Sequence, residues 1–179
     1  MGQRGDGSGI LDNTIFYSIQ AKVTDMKLYL VQHGEAAAKQ VDPERPLTEQ
    51  GMTDVQRIAV ALKHAGVEVK QVIHSGKLRA QQTAEILAIE IAPRLQLETS
   101  DLIKPNDNPG AFDLQIGSCN TDTMVVGHLP FMAKLVSHLV TGDDSQALVA
   151  YQPGSVVCLE LIEKDNWQLI WMLRPELLH

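Results

Sequence analysis

The sequence predicts one α/β domain, a three-layer α/β/α sandwich around a mainly parallel mixed sheet. Three observations predict it. Short apolar runs alternate with helical patterns along most of the chain. Several of those runs are apolar throughout, as strands covered on both faces are. The last two runs flank Asp165-Asn166, a hairpin signal, so the sheet should end in an antiparallel pair. A length of 179 residues fits one domain better than two. Apolar residues make up 44% but aromatics only 4%, so the core must be largely aliphatic.

Taken in order, Leu28-Tyr29-Leu30-Val31 is a buried strand feeding a turn at Gly34. Thr48 is a helix N-cap after Pro46-Leu47. Met52, Val55, Ala59, Leu62 and Ala65 then recur at helical spacing, and Gly66 ends the helix. Val69 to His74 is the next strand. Residues 77–91 form a helix with Leu78, Ala84, Leu87 and Ile91 inward, stopped by Pro93. Residues 106–118 read as loop plus a short helix. Thr123 to Gly127 is a third buried strand, and Pro130 opens a helix carrying Met132, Leu135, Val136 and Leu139. Val156 to Ile162 and Trp167 to Leu173 are the closing hairpin. Trp167 and Trp171, four apart in a strand, should share one face. Residues 1–25, with the Gly-rich stretch Gly2 to Gly9, read as a flexible leader or tag ahead of a single domain over 26–179. An added strand over Thr14 to Ile19 is the alternative.

A net charge of −7 argues against a broad nucleic-acid surface but allows a local cationic pocket. Cys119 and Cys158 are far apart and read as free thiols of a reducing compartment. No apolar run reaches the ~18 residues of a membrane span, and the start lacks a signal-peptide pattern, so a cytoplasmic location is expected. Gly76-Lys77 lacks the Gly-rich loop and following Ser/Thr of a P-loop. No histidine or cysteine spacing suggests zinc. His64 and His138 read as ordinary helix histidines, His179 is uninformative, and His74 ends a strand near the expected site.

Ligands in open α/β sheets bind at the carboxyl ends of strands. Three turns should therefore meet at one edge: Gln32-His33-Gly34-Glu35, His74-Ser75 with Arg79, and Gly127-His128-Leu129-Pro130. Two imidazoles and a guanidinium suit phosphoryl chemistry. Arginine grips phosphate with a planar fork, and a neutral histidine can be the nucleophile. Phosphoryl transfer asks mainly for positioning and charge neutralisation.

Leu28 to Ala36 resembles the opening motif of the histidine phosphatase (phosphoglycerate mutase-like) superfamily, an apolar strand ending in Arg-His-Gly-Glu. Arg45-Pro46-Leu47-Thr48 with Gly51, then Ser75, Arg79-Ala80 and Thr83, then Gly127-His128-Leu129-Pro130 resemble its later blocks in the same order. The wording and short length look most like the SixA-type branch of small phosphohistidine phosphatases. The resemblance implies a phosphoglycerate mutase-like fold, no metal and no cofactor. It implies that His33 is phosphorylated, with its other ring nitrogen held by a backbone carbonyl. Arg79 would bind the phosphoryl oxygens and His128 would be a second, positive donor. Arg45 and Ser75 would join Gln32 around the phosphate. The implied substrate is phosphohistidine on a partner protein, with small phosphomonoesters as the alternative. The chain departs from the family at Gln32, where the pattern has arginine. A neutral amide cannot make the two-pronged grip. The departure suggests a slower enzyme, one tuned to a substrate bearing its own cation, or a pseudophosphatase that binds phosphate. No clear general acid is present. Asp101 and Asp107 read as solvated loop carboxylates, Glu35 as support for the turn. Phosphohistidine needs little acid help, since its P–N bond breaks readily once the ring is protonated.

Overall fold

The first strand, β1 (Lys27–Gln32), is buried along nearly its whole length because it lies inside a six-stranded sheet. The computed structural model describes residues 26–117, 120–163 and 165–178. The leader with its alternative strand, Cys119 and His179 lie outside the described residues. The remaining elements are α1 (Glu49–His64), β2 (Gln71–His74), α2 (Leu78–Ile91), β3 (Glu98–Thr99), α3 (Pro109–Ile116), β4 (Thr123–Gly127), α4 (Phe131–Thr141), β5 (Val156–Glu163) and β6 (Asn166–Leu173). A 3-10 turn over Pro175–Leu177 follows.

The strand order is β3-β2-β4-β1-β5-β6. β1, β2, β3 and β4 run parallel, while β5 is antiparallel to β1 and to β6. The mixed sheet and closing hairpin agree with the sequence reading. Side chains alternate across β1. Tyr29 and Val31 enter a core made with α1 and α2, whereas Leu28 and Leu30 enter a second core made with α3 and α4. Each face of the sheet thus has its own helical layer. Ion pairs such as Lys63–Glu90, at 2.6 Å, join partly exposed side chains and contribute about 0–1 kcal/mol each. One buried Leu or Ile contributes about 1.5–3 kcal/mol, so the two cores hold the fold.

Three helix and strand details differ from expectation. On α1 the buried face is Gly51, Val55, Ile58, Ala59 and Leu62. Met52 is 38% exposed, and Ala65 lies past the end of the helix on the surface. On α2, Leu78 is only half-buried while Arg79 and Ala80 point inward, because the start of α2 faces the strand ends. Trp167 and Trp171 lie in opposite cores. Cys158 pairs with Trp171 but Leu159 pairs with Leu169, so Ile170 is an extra residue in β6. A bulge of one residue reverses the alternation. The two-residue β3 carries no sequence signal of its own and pairs only with β2.

Thr48 caps α1 as expected, its hydroxyl accepting from Gly51 N at 3.0 Å. A Cβ added at Gly51 would sit 2.2 Å from the Glu35 carbonyl oxygen. Helix α1 therefore packs directly on the backbone of the first turn. Gly51→Ala is expected to destabilise the domain by about 1–3 kcal/mol, the usual cost of overpacking. A urea denaturation midpoint unchanged from wild type would contradict this close approach.

Candidate active site

β1, β2 and β4 are parallel neighbours, so their carboxyl ends open at one edge of the sheet. The three turns expected to meet do meet there. A cleft of about 410 Å³ is lined by Gln32, His33, Arg45, Arg79 and His128, with Glu35, Pro105 and Pro153 among its other walls.

The first turn is held from several sides. His33 N donates to Gly127 O at 3.1 Å, and Gly34 N donates to Thr83 Oγ1 at 3.0 Å. Thr83 in turn donates to the Arg79 carbonyl at 2.7 Å, which ties the turn to α2. Thr48 N donates to Glu35 O at 3.0 Å and Ala37 N to Pro46 O at 2.8 Å. The Arg-Pro-Leu-Thr segment is thus a short antiparallel partner of the turn after β1. Arg45 follows from it, with φ of 53° and Nε donating to Ala37 O at 3.0 Å. Its guanidinium is brought to the cleft by this local pairing.

Within the cleft, the Nδ1–H of His33 donates to Gly34 O at 2.7 Å. This fixes the tautomer and leaves Nε2 with a lone pair, which accepts from Arg79 Nε at 3.1 Å. The His33 and His128 rings lie 4.9 Å apart at 59°. Burial pushes His33 down from 6.5 to about 4; the Gly34 carbonyl opposes this and the charges of Arg79, Arg45 and Lys77 add to it. Burial also pushes His128 down to about 3, aided by His33 and the same cations. Burial and the neighbouring Arg45 lower Arg79 from its high ordinary value. The cleft therefore holds two imidazoles, both pushed toward the neutral form, among cations. Burial works against the positive charge expected on His128.

Ser75 differs from expectation too. It is buried behind His128 and bonded to its Nε2, and it does not line the cleft. Asp107 accepts from Lys104 N at 2.7 Å, and Asp101 is paired with Lys104 at 3.0 Å. Neither carboxylate lines the cleft, and neither does His74, whose Nδ1 accepts from Gly76 N at 3.1 Å. Glu35 is the carboxylate in the wall, and it is exposed. Gln32 is 8% exposed, and its Oε1 has no partner; His128 Nδ1 is likewise unpaired. Sequence reasoning missed the Pro153-Gly154 segment. Pro153 lines the cleft, and Gly154 N donates to the carbonyls of Gln32 and His33 at 3.1 and 3.2 Å. Its signal was the Pro-Gly pair just before a strand.

No group of three or more His, Cys, Asp or Glu placed to hold a metal occurs among the described residues. No helix among them is long and apolar enough to cross a membrane. Comparison with known proteins gives a consistent result. The family model for the histidine phosphatase superfamily (branch 1) matches residues 28–104. The phosphohistidine phosphatase SixA of Escherichia coli (strain K12) is 28% identical over 84% of this chain and 94% of its own. An uncharacterized protein of a Picosynechococcus strain is 30% identical over 73% of this chain and 83% of its own. Among solved structures, the protein histidine phosphatase SixA complexed with tungstate superposes with a TM-score of 0.75 at 24% identity, covering 84% of this chain and 97% of that one. Motif order, strand topology and relatives agree, and the chain is a phosphatase of the histidine phosphatase superfamily, of SixA type.

Proposed function

We propose that this protein removes phosphoryl groups from phosphohistidine on a partner protein, through a covalent phosphohistidine at His33. One observation carries the reading. His33 is neutral, with Nδ1 spent on a backbone carbonyl and Nε2 beside Arg79. A nucleophile needs this orientation and lone pair. In the reaction, the Arg79 side chain turns to the phosphoryl oxygens as His33 Nε2 attacks in line. Arg45, also in the lining, adds charge. His128 donates to the transferring oxygens, and Ser75 orients its ring. The E. coli relative named as a phosphohistidine phosphatase supports the substrate class. So does the lining itself: among the described residues it holds no buried carboxylate that could protonate an alcohol leaving group. Residues 26–179 act as one domain in this reading.

Phosphate release from a phosphohistidine peptide is expected for the wild type and not for His33→Ala. The trapped wild-type phosphoenzyme should be acid-labile and stable in base. Undiminished release by His33→Ala would end the proposal. Ser75→Ala should lower kcat/KM by about tenfold at most, since a neutral hydrogen bond contributes about 0.5–1.5 kcal/mol; a loss beyond a hundredfold would give Ser75 a direct role instead.

The His33 shift has a defined sign. Its folded pKa lies below 6.5, so the neutral ring persists as pH falls through 6.5 and is lost near 4. The unfolded chain binds more protons in that window, so stability is held above pH 6.5 and declines as pH falls toward 4. NMR titration of the His33 imidazole should show a midpoint near 4; a midpoint at 6.5 would contradict the desolvated site.

A further inference from the structure

We propose that Gln32 makes this cleft a charge filter, selecting a phosphoryl group presented as a net monoanion over a dianionic phosphate monoester. The matching substrate class is an N-phosphoryl compound that carries a proton on its leaving group, such as a ring-protonated N-phosphoryl imidazole. The inference rests on the phosphatase reading above and names what selects its substrate.

The charged groups facing the cleft can be taken element by element. Arg79 comes from α2 and Arg45 from the segment paired with the first turn. Lys77, just ahead of α2, acts on both histidines from a distance. Glu35 is an exposed carboxylate in the wall. On the neighbouring loop, Lys104 is paired with Asp101, and Asp107 accepts from backbone. His33 and His128 are neutral in the free site. Gln32 is the lining side chain that ends β1 beside His33, and it is nine-tenths buried. Whichever end of its amide meets the ligand, it brings no charge. Its unpaired Oε1 is a buried acceptor. A protonated ligand can bring a donor to this amide, whereas the phosphoryl group of a dianionic monoester has none to bring, and hydrogen phosphate has one fewer than dihydrogen phosphate. An arginine at this position could only donate.

The chemistry balances under the same condition. The His33 Nε2 lone pair forms a bond to phosphorus as the P–N bond breaks. The bonding pair stays on the leaving ring nitrogen, and the ring keeps its proton on the other nitrogen, so it departs neutral. Water then attacks phosphorus, the P–Nε2 pair returns to His33, and both water protons remain on the released dihydrogen phosphate. The net charge is one negative throughout, and no side chain supplies a proton. A dianionic monoester brings one more negative charge to the same lining cations, and an alkyl monoester also needs a proton for its alkoxide.

The test compares kcat/KM for N-phosphoryl imidazole and p-nitrophenyl phosphate at neutral pH, in wild type, Gln32→Arg and Gln32→Lys. The lysine variant serves if the longer arginine disturbs folding. Wild type should favour the N-phosphoryl compound. A cation at position 32 should raise monoester turnover relative to N-phosphoryl turnover by about 100- to 1,000-fold, the range of one transition-state donor. Equal scaling of both substrates would overturn the filter and leave the phosphatase reading intact. A binding arm is independent of turnover. Calorimetry with inorganic phosphate on either side of its second ionisation should give tighter binding of the monoanion to wild type, and the reverse for Gln32→Arg. Should wild type turn over neither substrate but keep this preference, the filter stands and the catalytic reading falls. Equal or tighter binding of the dianion by wild type would overturn the filter.

Discussion

The turn after β1 is fixed by its backbone. Gln32 N, His33 N and Gly34 N donate to Ser155 O, Gly127 O and Thr83 Oγ1, while Glu35 O accepts from Thr48 N. Four consecutive residues are thereby tied to four different parts of the chain. Side-chain bonds alone would leave a surface loop several accessible conformations, and ordering each residue costs about 1–2 kcal/mol of backbone entropy. Here that cost is met during folding, by strands and helices that form for their own reasons. His33 then needs only its Gly34 contact to be aimed. Preorganisation of this kind places the work of catalysis in the scaffold.

The same arrangement explains the electrostatics. Parallel strands bury their ends, and α2 begins against them, so Arg79 is 8% exposed and both histidines lose water. Desolvation is the leading cause of the shift on His33, His128 and Arg79 alike. Like charges crowd there with no buried carboxylate among the described residues to offset them, which is unfavourable for the free protein. An incoming phosphoryl anion relieves that repulsion, so part of its binding energy is built in before it arrives.

Much of this was legible in the sequence. Continuous apolar runs gave β1 and β4 because both are covered on two faces, and the polar residues just past them are the ones in the cleft. The Asp165-Asn166 hairpin was legible because turns are local. What stayed hidden depended on distant partners. Ile58 is buried because α2 and the sheet meet there, which helical spacing alone could not separate from Met52. Gly154 reaches the carbonyls of Gln32 and His33 from more than a hundred positions away, and no local pattern encodes that. The neutral state of His128 also followed from burial, which the motif does not carry.

The bulge in β6 has a consequence of a different kind. By shifting the register at Ile170 it divides the two tryptophans between the two faces of the sheet. Trp167 sits in the layer with α3 and α4; Trp171 packs against Tyr29 and the layer with α1 and α2. The sequence contains no other tryptophan. Each helical layer therefore carries its own native fluorophore, and the two halves of the core can be watched melting separately or together without adding a label.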